Sequence, residues 1–137
     1  GCPVRPLSEL TDAVRHADAV VVALPLAPET RGIISADVIG SMPSRAVFVN
    51  VGRGELVDQV ALTDALESGR LAGAGLDVFD PEPLPAGDTL WDLPNVIISP
   101  HTSGSSDGTA GRVAEIFLDN LGRFVRGEAL DNGVQRA

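Results

Sequence analysis

The stretch "AVFVNVGRG", residues 46–54, decides how the fold is read. A strand with one face in water alternates apolar and polar residues, whereas an almost unbroken run of Val and Phe suits a parallel strand covered on both faces. Gly52, Arg53 and Gly54 then end the run abruptly. Upstream, "ADAVVVALPL" (residues 17–26) follows the same pattern and predicts a strand over Ala19–Leu24 that stops at Pro25. Downstream, two further apolar runs predict strands over Gly73–Val78 and Val96–Ser99.

Helical signals fill the gaps between these runs. Ser8 is placed to cap a short helix through His16, with Leu10, Ala13, Val14 and Ala17 on one face. Asp37 to Ser41 reads as a helical turn, and Asp58 caps a helix carrying Leu62, Ala65 and Leu66 that stops at Gly69. A Pro-rich connection runs from Phe79 to Pro94. The last helix spans Thr109–Arg126, with Val113, Ile116, Phe117, Leu121, Phe124 and Val125 at helical spacing and Gly127 at its end. Alternating strands and helices predict an α/β fold with a parallel sheet of about four strands. Function in such sheets gathers beyond the carboxyl ends of the strands. The residues there are Leu24-Pro25, Val51-Gly52-Arg53, Asp77 through Glu82, and Ser99-Pro100-His101.

Composition narrows the partners. Nineteen acidic residues against ten basic ones give a net charge of -9, and every base is Arg. Phosphate backbones and anionic lipid surfaces would repel such a chain, so neither nucleic acid nor membrane is an expected partner. An anionic small substrate would need a local Arg. The one cysteine, Cys2, excludes an internal disulfide and fits a reducing compartment, and no apolar run approaches the ~18 residues of a spanning helix. A cytoplasmic protein without a metal site is the expectation.

Four residue types at the strand ends carry chemistry. Arg53, between two glycines that would let the backbone approach a ligand, offers a guanidinium for bidentate binding of a carboxylate. His101 follows Pro100 and is one of two histidines; the other, His16, reads as a helix-surface residue without a role. A proton donor working near neutral pH is most simply a His, and a carboxylate held against it fixes its tautomer. Glu82, between Pro81 and Pro83, is the candidate carboxylate. Asp77 lies inside an apolar run, where an unpaired carboxylate would be costly, so it faces either a ligand or the strand's carboxyl end.

Three segments, "VNVGRGELVD", "GLDVFDPEPLP" and "NVIISPHTSG", in that order and preceded by "LPLAPETRG", closely resemble the nucleotide-binding domain of the D-isomer-specific 2-hydroxyacid dehydrogenases. The resemblance implies a Rossmann-like fold and NAD(P)H-dependent, reversible reduction of a small 2-oxo acid such as glyoxylate or hydroxypyruvate. It implies that Arg53 binds the substrate carboxylate and polarises its ketone, that His101 donates the proton, and that Glu82 holds His101 protonated. It further implies that Asp77 holds the nicotinamide carboxamide, and that Leu24, Pro25, Thr30, Val51, Gly52 and Gly104 line the nicotinamide and its ribose. Formate dehydrogenases of the superfamily look similar but carry Gln where Glu82 stands, so Glu82 favours the 2-hydroxyacid branch. Two other readings stay open: a cofactor-sensing corepressor-like module, and an inactive fragment.

A dinucleotide fold of this kind should begin with a strand and a G-x-G-x-x-G turn, and no such fingerprint occurs in this sequence. The expectation is therefore the second half of a cofactor domain over residues 1–127, with a tail, 128–137, that would return to a substrate domain. The strand at Ala19–Leu24 would then present an apolar edge, and a homodimer using that edge or the last helix is expected. Neither the particular 2-oxo acid nor the choice between NAD and NADP is written in these residues.

Overall fold

A computed structural model of the chain describes residues 3–133; Cys2 lies outside them. Contacts divide the chain into two units, Gly1–Ser103 and Gly104–Ala137.

In the first unit the order is α1 (Leu10–Val14), β1 (Ala19–Val22), α2 (Ala36–Ser41), β2 (Val47–Asn50), α3 (Gln59–Glu67), β3 (Gly73–Leu76) and β4 (Val96–Ile98). The four strands form one parallel sheet in sequential order, β1-β2-β3-β4. This is the expected Rossmann-like half, with each strand a residue or two shorter than its apolar run.

The register sorts the side chains. Val20, Phe48, Ala74 and Val96 stand in one row, and Val22, Asn50, Leu76 and Ile98 stand in the next row on the same face. That face meets the helices, and Phe48, Leu56, Leu62, Leu66, Leu71 and Leu90 are the largest fully buried side chains. Fully burying one Leu or Phe contributes about 1.5–3 kcal/mol, so this layer carries most of the unit's stability.

The opposite face departs from the expectation of strands covered on both sides. Val21, Val49, Gly75 and Ile97 form its central row, with Val21 62% and Ile97 76% exposed. An apolar run reports that a strand is suited to burial, not that both layers lie within the described residues. β1 pairs only with β2, so its outer edge is free among the described residues, as expected.

Helix ends follow local chemistry. Asp58 caps α3 by accepting the Ala61 amide at 3.0 Å, and Ser35 caps α2 through the Val38 amide. Arg70 donates from its guanidinium to the carbonyls of Met42 and Ile39, satisfying groups that the end of α2 leaves open. The expected Ser8 cap is absent: Leu7–Glu9 form a 3-10 turn entered from an extended Pro6, and α1 begins only at Leu10.

The second unit, described by itself, is α4 (Thr109–Arg126), with Gly127 in the left-handed region (φ 71°) at its end. It matches the predicted helix at both ends. Arg123 pairs with Asp119 and Asp131, which folds the residues after Gly127 back along the helix. Val113, Phe117, Leu121 and Val125 are exposed.

Candidate active site

Parallel strands place Leu24, Val51, Asp77 and Ser99, each just past its strand, at one edge of the sheet. The loops after β1 and β2 are stitched together. Gly32 donates to the Glu55 carbonyl at 2.8 Å, Ile34 donates to Leu56, and Asp58 donates back to Ile34. Between these loops lies a cavity of about 480 Å3 lined by Ala23, Leu24, Pro25, Leu26, Val51, Gly52 and Arg53. Its volume is in the range of small-molecule sites, and its lining joins apolar side chains to backbone polar groups and the guanidinium.

Arg53 is exposed, and among the described residues it makes no ion pair; its Nη1 donates to the Gly52 carbonyl at 2.6 Å. The two flanking glycines have a reason that the sequence reading missed. A Cβ on Gly52 would lie 2.9 Å from the Leu24 carbonyl oxygen, and one on Gly54 would overlap the Phe79 carbonyl. They let the loop close on the chain's own backbone, where the sequence had suggested approach to a ligand. Through Gly54 the arginine loop lies against the peptide that leads into Pro81-Glu82. Gln59 adds to that anchorage, accepting the Asp80 amide at 3.0 Å.

Glu82 and His101 meet directly. His101 Nδ1 lies 2.9 Å from Glu82 Oε1, with side-chain exposures of 42% and 35%. A pair this open adds at most about 1 kcal/mol to stability, so its geometry matters more for chemistry than for folding. With Nδ1 turned to the carboxylate, Nε2 is the nitrogen left for a ligand. His101 is also one of two non-glycine residues with positive φ among the described residues, at 53°. Such a backbone costs energy and persists only where its surroundings enforce it.

Asp77 is the enforcing group. It is 2% exposed; Oδ1 accepts the Ser99 hydroxyl at 2.6 Å and the Thr102 amide at 2.8 Å, and Oδ2 accepts the Ser103 amide at 2.8 Å. These bonds grip the chain on both sides of His101. Burial alone would raise the pKa of this carboxyl, but hydrogen bonds from Ser99, Ser103 and Thr102 outweigh it and hold the group well below the usual carboxylate range. The segment that follows β4, and not the end of Asp77's own strand, takes most of its capacity, and about one acceptor position of four is left.

Thr30 is 6% exposed and is similarly committed to its own loop. Its hydroxyl accepts the Ala27 amide at 2.8 Å and lies 2.9 Å from the Pro25 carbonyl, fixing the bend that carries Leu24 and Pro25. Leu24, Pro25, Val51 and Gly52 do line the cavity with Arg53. Gly104 opens the second unit, where its carbonyl accepts the Thr109 hydroxyl at 3.4 Å.

Asn50 was missed. It is a polar residue on the buried face of β2, 2% exposed, whose Oδ1 accepts the Gly52 amide and whose Nδ2 donates to the Arg53 carbonyl, each at 3.0 Å. The argument that singled out Asp77, a polar group inside an apolar run, applies equally to "VFVNV".

Comparisons with known proteins identify the family. A sequence profile described as "D-isomer specific 2-hydroxyacid dehydrogenase, NAD binding domain" matches residues 3–103. The chain is 42% identical over 131 residues to a glyoxylate reductase of Korarchaeum cryptofilum, covering 96% of this chain and 39% of that protein. It is 40% identical over 126 residues to glyoxylate/hydroxypyruvate reductase B of Pectobacterium carotovorum, covering 92% of this chain and 39% of that one. Among solved structures, a D-isomer specific 2-hydroxyacid dehydrogenase from Xanthobacter autotrophicus, in complex with NADPH and MES, superposes with TM-score 0.87 at 41% identity. That match covers 94% of this chain and 52% of the other. The chain thus spans about two fifths of the length of the curated relatives it matches. With the profile covering the whole Arg53, Asp77, Glu82 and His101 edge, the chain belongs to the D-isomer specific 2-hydroxyacid dehydrogenases, through their NAD-binding domain.

Proposed function

We propose that this chain supplies the acid-base and substrate-binding edge of an NAD(P)-dependent oxidoreductase that interconverts a small 2-oxo acid and its 2-hydroxy acid. The observation that carries the proposal is the 2.9 Å contact between His101 Nδ1 and Glu82 Oε1 at the same sheet edge as Arg53, which makes no ion pair among the described residues.

The cavity between the first two strand ends suits a nicotinamide, because Leu24, Pro25, Leu26 and Val51 give apolar walls for a flat ring. Leu24, Pro25, Val51 and Gly52 would contact it there. Thr30 would act by holding the bend, and Asp77 would reach the carboxamide with its remaining acceptor position. Gly104 would border the ribose. A bound NADPH or NADH supplies the hydride. The NADP-bound glyoxylate/hydroxypyruvate reductase of Sinorhizobium meliloti, TM-score 0.84 at 35% identity, supports that class of cofactor.

The chain's own residues do the rest. Arg53 and His101 follow strands separated by two inter-strand spacings, about 10 Å, a span that a two- or three-carbon oxo acid with its hydrogen bonds can bridge. Arg53 binds the substrate carboxylate and draws electron density from the ketone. His101 gives a proton from Nε2 to the ketone oxygen, while Glu82 accepts the Nδ1 proton in a hydrogen bond that orients the ring and balances its charge. Glyoxylate and hydroxypyruvate, the substrates named for the relatives, are the proposed class.

The chain is further proposed to act in the cytoplasm and to self-associate, the second supported by the free β1 edge and the exposed Val21. No described helix is long and apolar enough to cross a membrane.

Grafting this chain in place of the matching segment of the Korarchaeum glyoxylate reductase tests the proposal. NADPH oxidation that depends on glyoxylate is expected, and Arg53→Ala should raise KM for glyoxylate by about 100-fold or more, the loss of a charge-assisted bidentate contact. A folded graft that binds NADPH but reduces no 2-oxo acid would overturn it.

A further inference from the structure

Three peptides surround Arg53, and each is held. Asn50 Oδ1 accepts the Gly52 amide and Asn50 Nδ2 donates to the Arg53 carbonyl, so one side chain pins the peptide before Gly52 and the peptide after Arg53. The peptide between them offers the Gly52 carbonyl, and that oxygen receives Arg53's own Nη1. The guanidinium is thereby folded back onto a peptide whose two neighbours are fixed by Asn50. Packing reinforces this, because the missing Cβ of Gly52 leaves room for the Leu24 carbonyl and the Leu56 side chain.

Burial makes the arrangement specific to Asn. The register neighbours of Asn50 are Val22 and Leu76, which offer no polar side chain. A buried carboxamide needs partners, and the loop provides both a donor and an acceptor. Asp at this position would keep the bond from Gly52 but face the Arg53 carbonyl with an acceptor. Leu would fill the space and leave both loop groups unpaired.

We propose that Asn50 is a positioning residue that sets the direction of the Arg53 guanidinium, and so the affinity for the substrate carboxylate. The proposal rests on the reading of Arg53 given above.

Asn50→Leu and Asn50→Asp test it by two routes. In this chain, NMR should show the Gly52 amide exchanging at least about tenfold faster and the Arg53 Nε–H signal losing its distinct position, while Phe48 and Ala74 amides stay protected. In the grafted reductase, KM for glyoxylate should rise by about 10- to 100-fold and kcat should fall by a smaller factor, while NADPH affinity changes by less than about threefold, since Arg53 both binds the carboxylate and polarises the ketone. Unchanged Gly52 exchange and an unchanged Arg53 signal in both variants would overturn the proposal. So would a uniform fall in kcat, NADPH affinity and melting temperature with no selective change in KM, the mark of a purely structural residue. If the unsubstituted graft reduces nothing, the functional reading fails, and the Gly52 and Arg53 signals still decide whether Asn50 orients the guanidinium.

Discussion

Gly54 offers a sharp test of how the two catalytic loops are joined. A Cβ added there would overlap the Phe79 carbonyl carbon and oxygen and lie 2.6 Å from the Asp80 amide nitrogen. Ordinary contact begins near 3.4 Å, so Gly54→Ala forces the arginine loop and the Glu82 loop apart by an ångström or more. The obstacles are backbone atoms, which cannot turn aside as a flexible side chain can. Overpacking of this kind costs about 2–4 kcal/mol, which for a chain of this size lowers Tm by about 8–15 °C. Trp91, the only tryptophan, lies in the same Pro-rich connection with its indole N–H on the Pro85 carbonyl at 2.9 Å, so its fluorescence reports the loop as well as unfolding. Gly40 provides the opposite control. It lies within α2 with nothing within 4 Å of an added Cβ, so Gly40→Ala should raise stability by about 0.5–1 kcal/mol. A Gly54→Ala protein melting within about 2 °C of the unsubstituted chain, with the same Trp91 spectrum, would refute the close approach.

Other expectations follow from single groups. Asp77→Asn should cost about 2–4 kcal/mol at neutral pH, because it replaces an acceptor-only group with one that must present N–H to an amide. The folded carboxyl is depressed, so its contribution is present above the unfolded value of about 4 and is lost as pH falls toward the folded one. Urea melts should therefore show the gap between the two proteins narrowing below about pH 4, and a gap that widens there would contradict the assignment. Glu82→Gln in the grafted reductase should lower kcat by about 10- to 100-fold while leaving Tm within about 2 °C, since the pair is largely exposed. Sedimentation should show weight-average mass rising with concentration, and Val21→Lys on the free edge should reduce it; a monomer at every micromolar concentration would rule out pairing through β1.

Much of this was legible in the sequence, for identifiable reasons. α4 was placed at both ends because helical periodicity and a terminal Gly are local signals, and Asp58 capped α3 for the same reason. The strands were each overextended, since apolar character continues past the last ladder pair into Leu24, Val51 and Val78. Coverage of the sheet was misjudged because an apolar run cannot reveal whether a second layer is present. Ser8 failed as a cap because Pro6 enters a 3-10 turn, a preference that composition does not display. In the site, Glu82 and His101 were named together through their segments and lie in contact. The glycines around Arg53 were assigned to ligand approach because a backbone 25 residues away, at Phe79, is invisible to local reading. Asn50 was overlooked for a different reason: its role is to satisfy a loop, and only the burial of β2 made that demand visible.

His101, oriented by Glu82, is proposed as the proton donor for a ketone bound by Arg53. Steady-state kinetics of His101→Ala in the grafted glyoxylate reductase test it most directly. A fall in kcat of about 10²- to 10⁴-fold is expected, with KM for glyoxylate within about threefold of the parent. A kcat within about threefold of the parent would contradict it, and the proton would then have to come from another group.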